Sequence, residues 1–325
     1  MTPENPSLSL TLPVEARDFA DAATRYCARN LGAEPHDRQA VNFSRDLWRS
    51  MAELGLLEIA ATPGDSAMLL TCVGLEVLGY HGFPGPLAQS VAVMGLSDAR
   101  QPAWAGGERV PTLGGDVLTA WAAVADDLFL IDGDGLSQAR LVGPIETLGA
   151  TRAGLVERAE PLAGEVGDVL ARYHMAISAY GVGAGRFFID LAAEHARTRS
   201  QFGRPIGEFQ AVAFPLAESL IGLEAAQLMT RAAAMALDAG RADAADLAGA
   251  ARLSSTRAAL KAGFAAHQTL GAYGVLDDGP VGWLSRRIQE YATLAPSSRG
   301  LRASLSLDVS RLLDPALWRE GRQCN

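Results

Sequence analysis

The sequence predicts a mainly α-helical chain with a small β domain set between two helical regions. Three observations predict it. Apolar residues recur at helical spacing over the first hundred residues. Short β-prone segments then flank a Gly-Asp-Gly turn within about residues 106–160, and helical periodicity returns in longer runs from Val169 onward. The organisation read from these shifts is an N-terminal helical domain over 1–105, a β domain over 106–160 and a C-terminal helical bundle over 161–325.

In chain order, Val14 to Leu31 sets Phe19, Ala22, Ala23, Tyr26 and Cys27 at helical spacing, with Asn30 and Gly32 as stop signals. Ser44 is the candidate start of a helix that carries Leu47, Trp48, Met51 and Leu54 and ends at Gly55. A third helix is expected from about Ser66 to Leu78. Pro84 and Pro86 break the pattern before a short helix from Leu87 to Leu96. Leu128–Ile131 and Ala139–Val142 are β-prone and flank Asp132-Gly-Asp-Gly135, a hairpin signal. Beyond them the spacing predicts helices over Val169–Thr198, Gln210–Ala239, Ala244–Leu270, Val281–Ala292 and Arg299–Leu313. Long helices joined by short loops are what an antiparallel four-helix bundle requires.

A chain of 325 residues can bury a large core, and its net charge of −9 argues against nucleic acid or an anionic membrane as the principal partner. No apolar run approaches the ~20 residues that span a bilayer. The first residues lack the basic and then apolar pattern of a signal peptide, so a soluble, cytoplasmic protein is expected. Cys27, Cys72 and Cys324 are odd in number and far apart, which suggests neither a disulfide framework nor a metal site. Cys27 and Cys72 read as small core residues.

Two segments carry chemistry. The first runs Arg197-Thr-Arg-Ser-Gln-Phe-Gly-Arg-Pro-Ile-Gly-Glu-Phe-Gln210 between two predicted helices. Arg199 offers a fixed fork of donors to a pyrophosphate, Phe202 gives a flat apolar surface, and Gly203 lets the chain reverse. Gln210 opens the next helix, where free backbone N–H groups favour an anion. The second segment, Gln268-Thr-Leu-Gly271-Ala272-Tyr-Gly274, lies at another helix end, where glycines let a ligand approach backbone closely.

These segments, followed by Pro280-Val281-x-x-Leu284-x-Arg286 and preceded by Trp48-x-x-Met-Ala-Glu-Leu-Gly-Leu56, resemble the acyl-CoA dehydrogenases over most of the chain. The resemblance implies that family's fold and an FAD bound at a subunit interface. It gives Arg199, Phe202, Gln210, Gln268 and Gly271 the role of gripping FAD whose flavin ring lies on a neighbouring subunit. Ala272 stands where the family has a second glycine, and its methyl group crowds that contact. The implied reaction is α,β-dehydrogenation of an acyl-CoA thioester, steroid-derived, polyketide-derived or fatty. An electron-transfer flavoprotein is the implied acceptor.

Two departures qualify the resemblance. The family's Glu-Pro-Gly-Ala-Gly-Ser-Asp-like segment, which holds the flavin ring, has no counterpart between Gly106 and Glu160. The position of the catalytic glutamate, counted without a gap from Pro280, holds Ala295. Some members place the base 26 residues before the equivalent of Arg199; here that residue is Tyr173, between Arg172 and His174. Glu165, Asp168 and Glu290 are the nearest acids and read as solvated helix-end charges, and His174 reads as structural. Three functions stay open: a subunit of a heteromeric acyl-CoA dehydrogenase that completes a partner's FAD site, like the actinobacterial two-gene enzymes; an autonomous flavoenzyme of the same fold with altered chemistry, such as an oxidase, monooxygenase or biosynthetic desaturase; or a flavin-free scaffold. The expected assembly is a heterotetramer with a homologous subunit, with a homo-oligomer as the alternative.

Overall fold

The structure is a computed structural model that describes residues 12–32, 35–62, 64–132, 135–162, 166–277 and 279–294. It opens with helices α1 (Val14–Asn30), α2 (Pro35–Gln39), α3 (Arg45–Ala52), α4 (Leu56–Ala61), α5 (Ala67–Tyr80), α6 (Leu87–Val93) and α7 (Gln101–Ala105). Ser44 caps α3 as its sequence predicts, its hydroxyl accepting from the Leu47 N–H at 3.1 Å. Gly55, at φ +84°, ends that turn, and the chain restarts at once as α4. The sequence reading stopped at Gly55 because six residues are too few to display a helical period. Cys27 and Cys72 are both fully buried thiols within this first region.

The strands are β1 (Pro111–Gly114), β2 (Leu118–Thr119), β3 (Asp127–Asp132), β4 (Gly135–Ile145) and β5 (Ala153–Leu162), in sheet order β1-β3-β4-β5-β2. Among the described residues, only the β1–β3 pair is parallel. Asp132 pairs with Gly135, so β3 and β4 form the hairpin that the Asp-Gly-Asp-Gly signal predicts.

Helix α8 (Val166–Thr198) is the central pillar. It packs against α5 and α6 on one side and against α9 (Gln210–Asp238) and α10 (Ala244–Leu270) on the other. Close approach on the first side depends on two glycines: a Cβ at Gly79 would lie 2.2 Å from the Tyr180 carbonyl oxygen, and one at Gly183 would lie 1.9 Å from that of Glu76. Between α8 and α9 run the two-residue strands β6 (Ser200–Gln201) and β7 (Arg204–Pro205), then a 3-10 turn; α11 (Ala272–Val275) and α12 (Gly282–Thr293) follow α10. The predicted Arg299–Leu313 helix and Ala295 lie outside the described residues.

One apolar core runs from Ala16 in α1 to Tyr291 in α12 and takes in Trp121 and Phe129 of the β region. Among the described residues, α9 is the one helix long and apolar enough to span a membrane by length and composition, which the search for apolar runs in sequence passed over. It packs on α8 and α10 with Leu216, Leu223, Ala226 and Ala233 buried.

Candidate functional site

The Arg199–Gln210 segment is a miniature hairpin. Ser200 pairs with Pro205 and Gln201 with Arg204, and the Ile206 N–H closes the ladder on the Arg199 carbonyl at 2.8 Å. Its two-residue turn is Phe202–Gly203, with φ +52° and +83°. Tight hairpin loops demand positive φ at both central positions, which suits glycine and strains phenylalanine. Phe202 is nevertheless 93% exposed, with only the edge of Phe209, 6.1 Å away between ring centroids, beside it. The Arg204 guanidinium stacks on the other ring, 4.2 Å from the Phe209 centroid.

Phe202 and Gln268 face one open cavity of about 430 Å³, which Gln201, Ile206, Phe209 and Pro215 also line. The structure thus brings together residues 66 positions apart that the sequence singled out separately. Arg199 and Gln210 are exposed at the two ends of the same hairpin, and no side-chain cap occupies the first N–H groups of α9. Gly271 ends α10 at φ +59°, ψ −131°, a conformation closed to side-chain-bearing residues, and a Cβ there would meet open space. Ala272 is exposed as the first residue of α11. Phe209 and Ile206 belong to the cavity as well; the sequence reading passed over them although both lie in the quoted segment.

An FAD fits these residues in part. A strained, exposed aromatic ring, an exposed arginine and a glycine backbone backed by open space suit a phosphate-bearing, flat ligand. The junction between sheet and helices offers the opposite. There the Trp121 indole N–H donates to the Tyr291 hydroxyl at 2.9 Å, and the Tyr291 ring meets Tyr180 edge-on at 5.6 Å. Arg287 donates to the Gly82 carbonyl at 2.8 Å and lies over Trp121 and Trp283. All five side chains are buried, and burial pushes the Tyr180 and Tyr291 hydroxyls above the usual phenol range.

This junction is latched by α12. The Glu290 carboxylate accepts from the Gly149 N–H and from the hydroxyls of Thr147 (2.9 Å) and Thr151 (2.6 Å). Arg286 and Arg287 donate to the carbonyls of Leu148 and Gly149. Glu290 is therefore no solvated helix-end charge, as its position near a helix terminus suggested, but the anchor of a loop some 140 residues away in sequence. Asp168 is paired with Arg172 at 2.9 Å, and Glu165 lies outside the described residues.

At the alternative base position Tyr173 is buried, and burial raises its hydroxyl pKa. His174 is buried as well; desolvation, with Arg252 nearby, lowers it to about 3, so its ring is neutral in the native protein. Arg252 donates to the Tyr291 carbonyl near the C-terminal end of α12. No carboxylate stands among these side chains.

The arrangement of helices, a small sheet and a long-helix bundle is the acyl-CoA dehydrogenase fold. The chain superposes on the ChsE4-ChsE5 complex from Mycobacterium tuberculosis with a TM-score of 0.76 at 20% identity, covering 93% of this chain and 99% of that one. On the Tcur3481-Tcur3483 steroid ACAD the TM-score is 0.74 at 20% identity, over 90% of this chain and 96% of the other. Residues 168–297 match the family model of the acyl-CoA dehydrogenase C-terminal domain. It is 34% identical over 124 residues to the mitochondrial 2-methylacyl-CoA dehydrogenase of Solanum tuberosum, which is 38% of this chain and 30% of that protein. The chain thus matches about a third of the length of its curated relatives.

Proposed function

We propose that the chain is a subunit of an FAD-dependent acyl-CoA dehydrogenase that completes the cofactor site of a partner subunit of the same fold and supplies no catalytic base. The observation that carries this reading is Phe202, a ring held in a strained backbone conformation and presented almost wholly to solvent beside Gln268. Strain that serves no packing in its own chain suits contact with something outside it. Arg199 would neutralise the pyrophosphate, Phe202 would lie against an aromatic ring of the cofactor, and the Gln268 amide would donate to it. Gln210 would present its backbone N–H and Gly271 a backbone with no Cβ in the way, with Ala272 at the rim.

When bound, FAD supplies the hydride acceptor for dehydrogenation of an acyl thioester, and an electron-transfer flavoprotein is the fitting onward acceptor. The proton step needs a carboxylate within reach of the substrate. Tyr173 and a neutral His174 are sealed in the core here, and Ala295 has no titratable group. The buried Trp121–Tyr291–Arg287 junction favours a flavin ring seated on the partner's sheet rather than on this one. A steroid-derived acyl group is the substrate class that the likeness to a steroid enzyme favours.

The test is to purify the chain alone and together with a same-fold partner, then record the flavin spectrum and native mass. The expected result is one flavin for each pair of unlike subunits, held only by the complex. A yellow, fully occupied protein in isolation would overturn the reading in favour of an autonomous flavoenzyme. A flavin-free complex would favour a scaffold.

A further inference from the structure

We infer that His267 is the positioning residue of this site, holding the Gln268–Gly274 turn in the shape that receives the cofactor; the inference rests on the cofactor reading above. His267 lies in the last turn of α10, and both ring nitrogens are engaged. Nδ1 is 2.6 Å from the Gly274 carbonyl oxygen and Nε2 is 2.8 Å from the Ser285 hydroxyl on α12. A carbonyl oxygen only accepts, so Nδ1 carries the hydrogen. Nε2 shares the remaining hydrogen bond with the Ser285 hydroxyl, which also lies 3.2 Å from the Gly282 carbonyl oxygen.

The turn is tied to His267 through both its backbone carbonyl and its imidazole. The Gly271 N–H donates to the His267 carbonyl at 3.1 Å, and the Gly274 N–H donates to the Gly271 carbonyl at 3.0 Å. A Cβ at Gly274 would sit 2.8 Å from the His267 carbonyl oxygen, so the backbone closes on His267 without room for any side chain. Gln268, the next residue, lines the cavity beside Phe202, and Gly271 takes a glycine-only conformation with open space where a Cβ would stand. Through Ser285 the clamp reaches α12, the helix whose Arg286, Arg287 and Glu290 hold the sheet loop. Loss of the imidazole would free Gly274 and leave the turn to reorder on cofactor binding, which weakens affinity without removing any group that touches the cofactor.

The test uses the complex of this chain with its same-fold partner. FAD affinity, native mass and thermal midpoint are measured for wild type, His267→Leu, His267→Asn and Ser285→Ala. His267→Leu should weaken FAD binding about tenfold, the loss of two partly buried hydrogen bonds, at unchanged native mass. His267→Asn, whose amide N–H can still reach the Gly274 carbonyl, should recover most of that affinity. Equal affinity of His267→Leu and wild type would overturn the inference, as would a midpoint that falls in all three variants while FAD affinity holds. Should His267→Leu fail to fold, Ser285→Ala decides: unchanged affinity there overturns the inference. A wild-type complex that takes up no FAD would refute the cofactor reading itself and the positioning role with it.

Discussion

Replacing Phe202 by glycine separates folding from function, because the two readings of this residue give opposite outcomes. Its φ of +52° costs an L-residue roughly 1–2 kcal/mol, which glycine would recover. Against this stand glycine's greater loss of chain entropy, about 0.5–1 kcal/mol, and the edge contact with Phe209, worth at most about 1 kcal/mol for so exposed a ring. The terms nearly cancel, so Phe202→Gly should unfold within about 1 kcal/mol of wild type in a urea titration followed by circular dichroism. A packed phenylalanine would instead cost ~3–5 kcal/mol on truncation. Flavin retention should respond quite differently. Removing an aromatic ring stacked on a base-like ring costs ~1–3 kcal/mol, or roughly 5- to 150-fold in affinity, read from the flavin content of the complex after dialysis. Two results would refute the reasoning: a destabilisation above ~2 kcal/mol, which would make Phe202 a packing residue, or unchanged flavin retention.

Three further perturbations probe the frame around the site. Gly183→Ala drives a methyl group into the Glu76 carbonyl oxygen across the α5–α8 contact and should cost about 2–3 kcal/mol or more in urea unfolding. Gly181→Ala, two residues away with only Ala259 at 3.9 Å, should be neutral or stabilising by up to ~1 kcal/mol; equal effects would mean the helices are not packed so closely. Arg231→Met strands the buried Glu76 carboxylate, which Arg231 grips with two bonds, and should cost ~3–5 kcal/mol at neutral pH. That deficit should shrink on acidification as the carboxyl protonates, and a deficit independent of pH would exclude the charge as its cause. Burial lowers His81 to about 4 and His174 to about 3, so below their usual 6.5 the unfolded chain takes up protons that the native chain refuses. Stability should therefore fall as pH drops from 6.5 toward 4, less steeply in His174→Gln, and parallel profiles for the two proteins would contradict the burial of a neutral ring.

What the sequence made legible follows the range of the interactions concerned. Helix ends governed by local chemistry were readable: α10 runs Ala244–Leu270 and α9 starts at Gln210, both as the periodicity and turn residues predict. Elements too short to show a period were not, among them α4, β2 and the β6–β7 hairpin. Arg199, Phe202, Gln268 and Gly271 were visible because their spacing forms a motif, but the left-handed turn at Phe202 was not, since nothing local demands it. Glu290 looked like a solvated charge because its partners at Thr147, Gly149 and Thr151 lie across the sheet–helix junction, a placement that only the tertiary fold creates.

The strained residues themselves argue for how the labour of the site is divided. Among the described residues, four non-glycine residues adopt positive φ: Trp121, Ala150, Arg152 and Phe202. The first three lie together at the sheet–helix junction, and their strain is offset within the chain. The Trp121 N–H donates to the Thr151 carbonyl at 2.6 Å, the Ala123 N–H to that of Arg152 at 3.0 Å, and Glu290 binds the loop between them. Phe202 has no such compensation beyond a two-residue ladder and one ring edge. A fold that satisfies its strain with hydrogen bonds of its own at one end and leaves it open at the other is complete at the first and unfinished at the second. On the proposed reading, the closed end is where a flavin ring would have to enter this chain, and the open end is where it would reach a cofactor held by another.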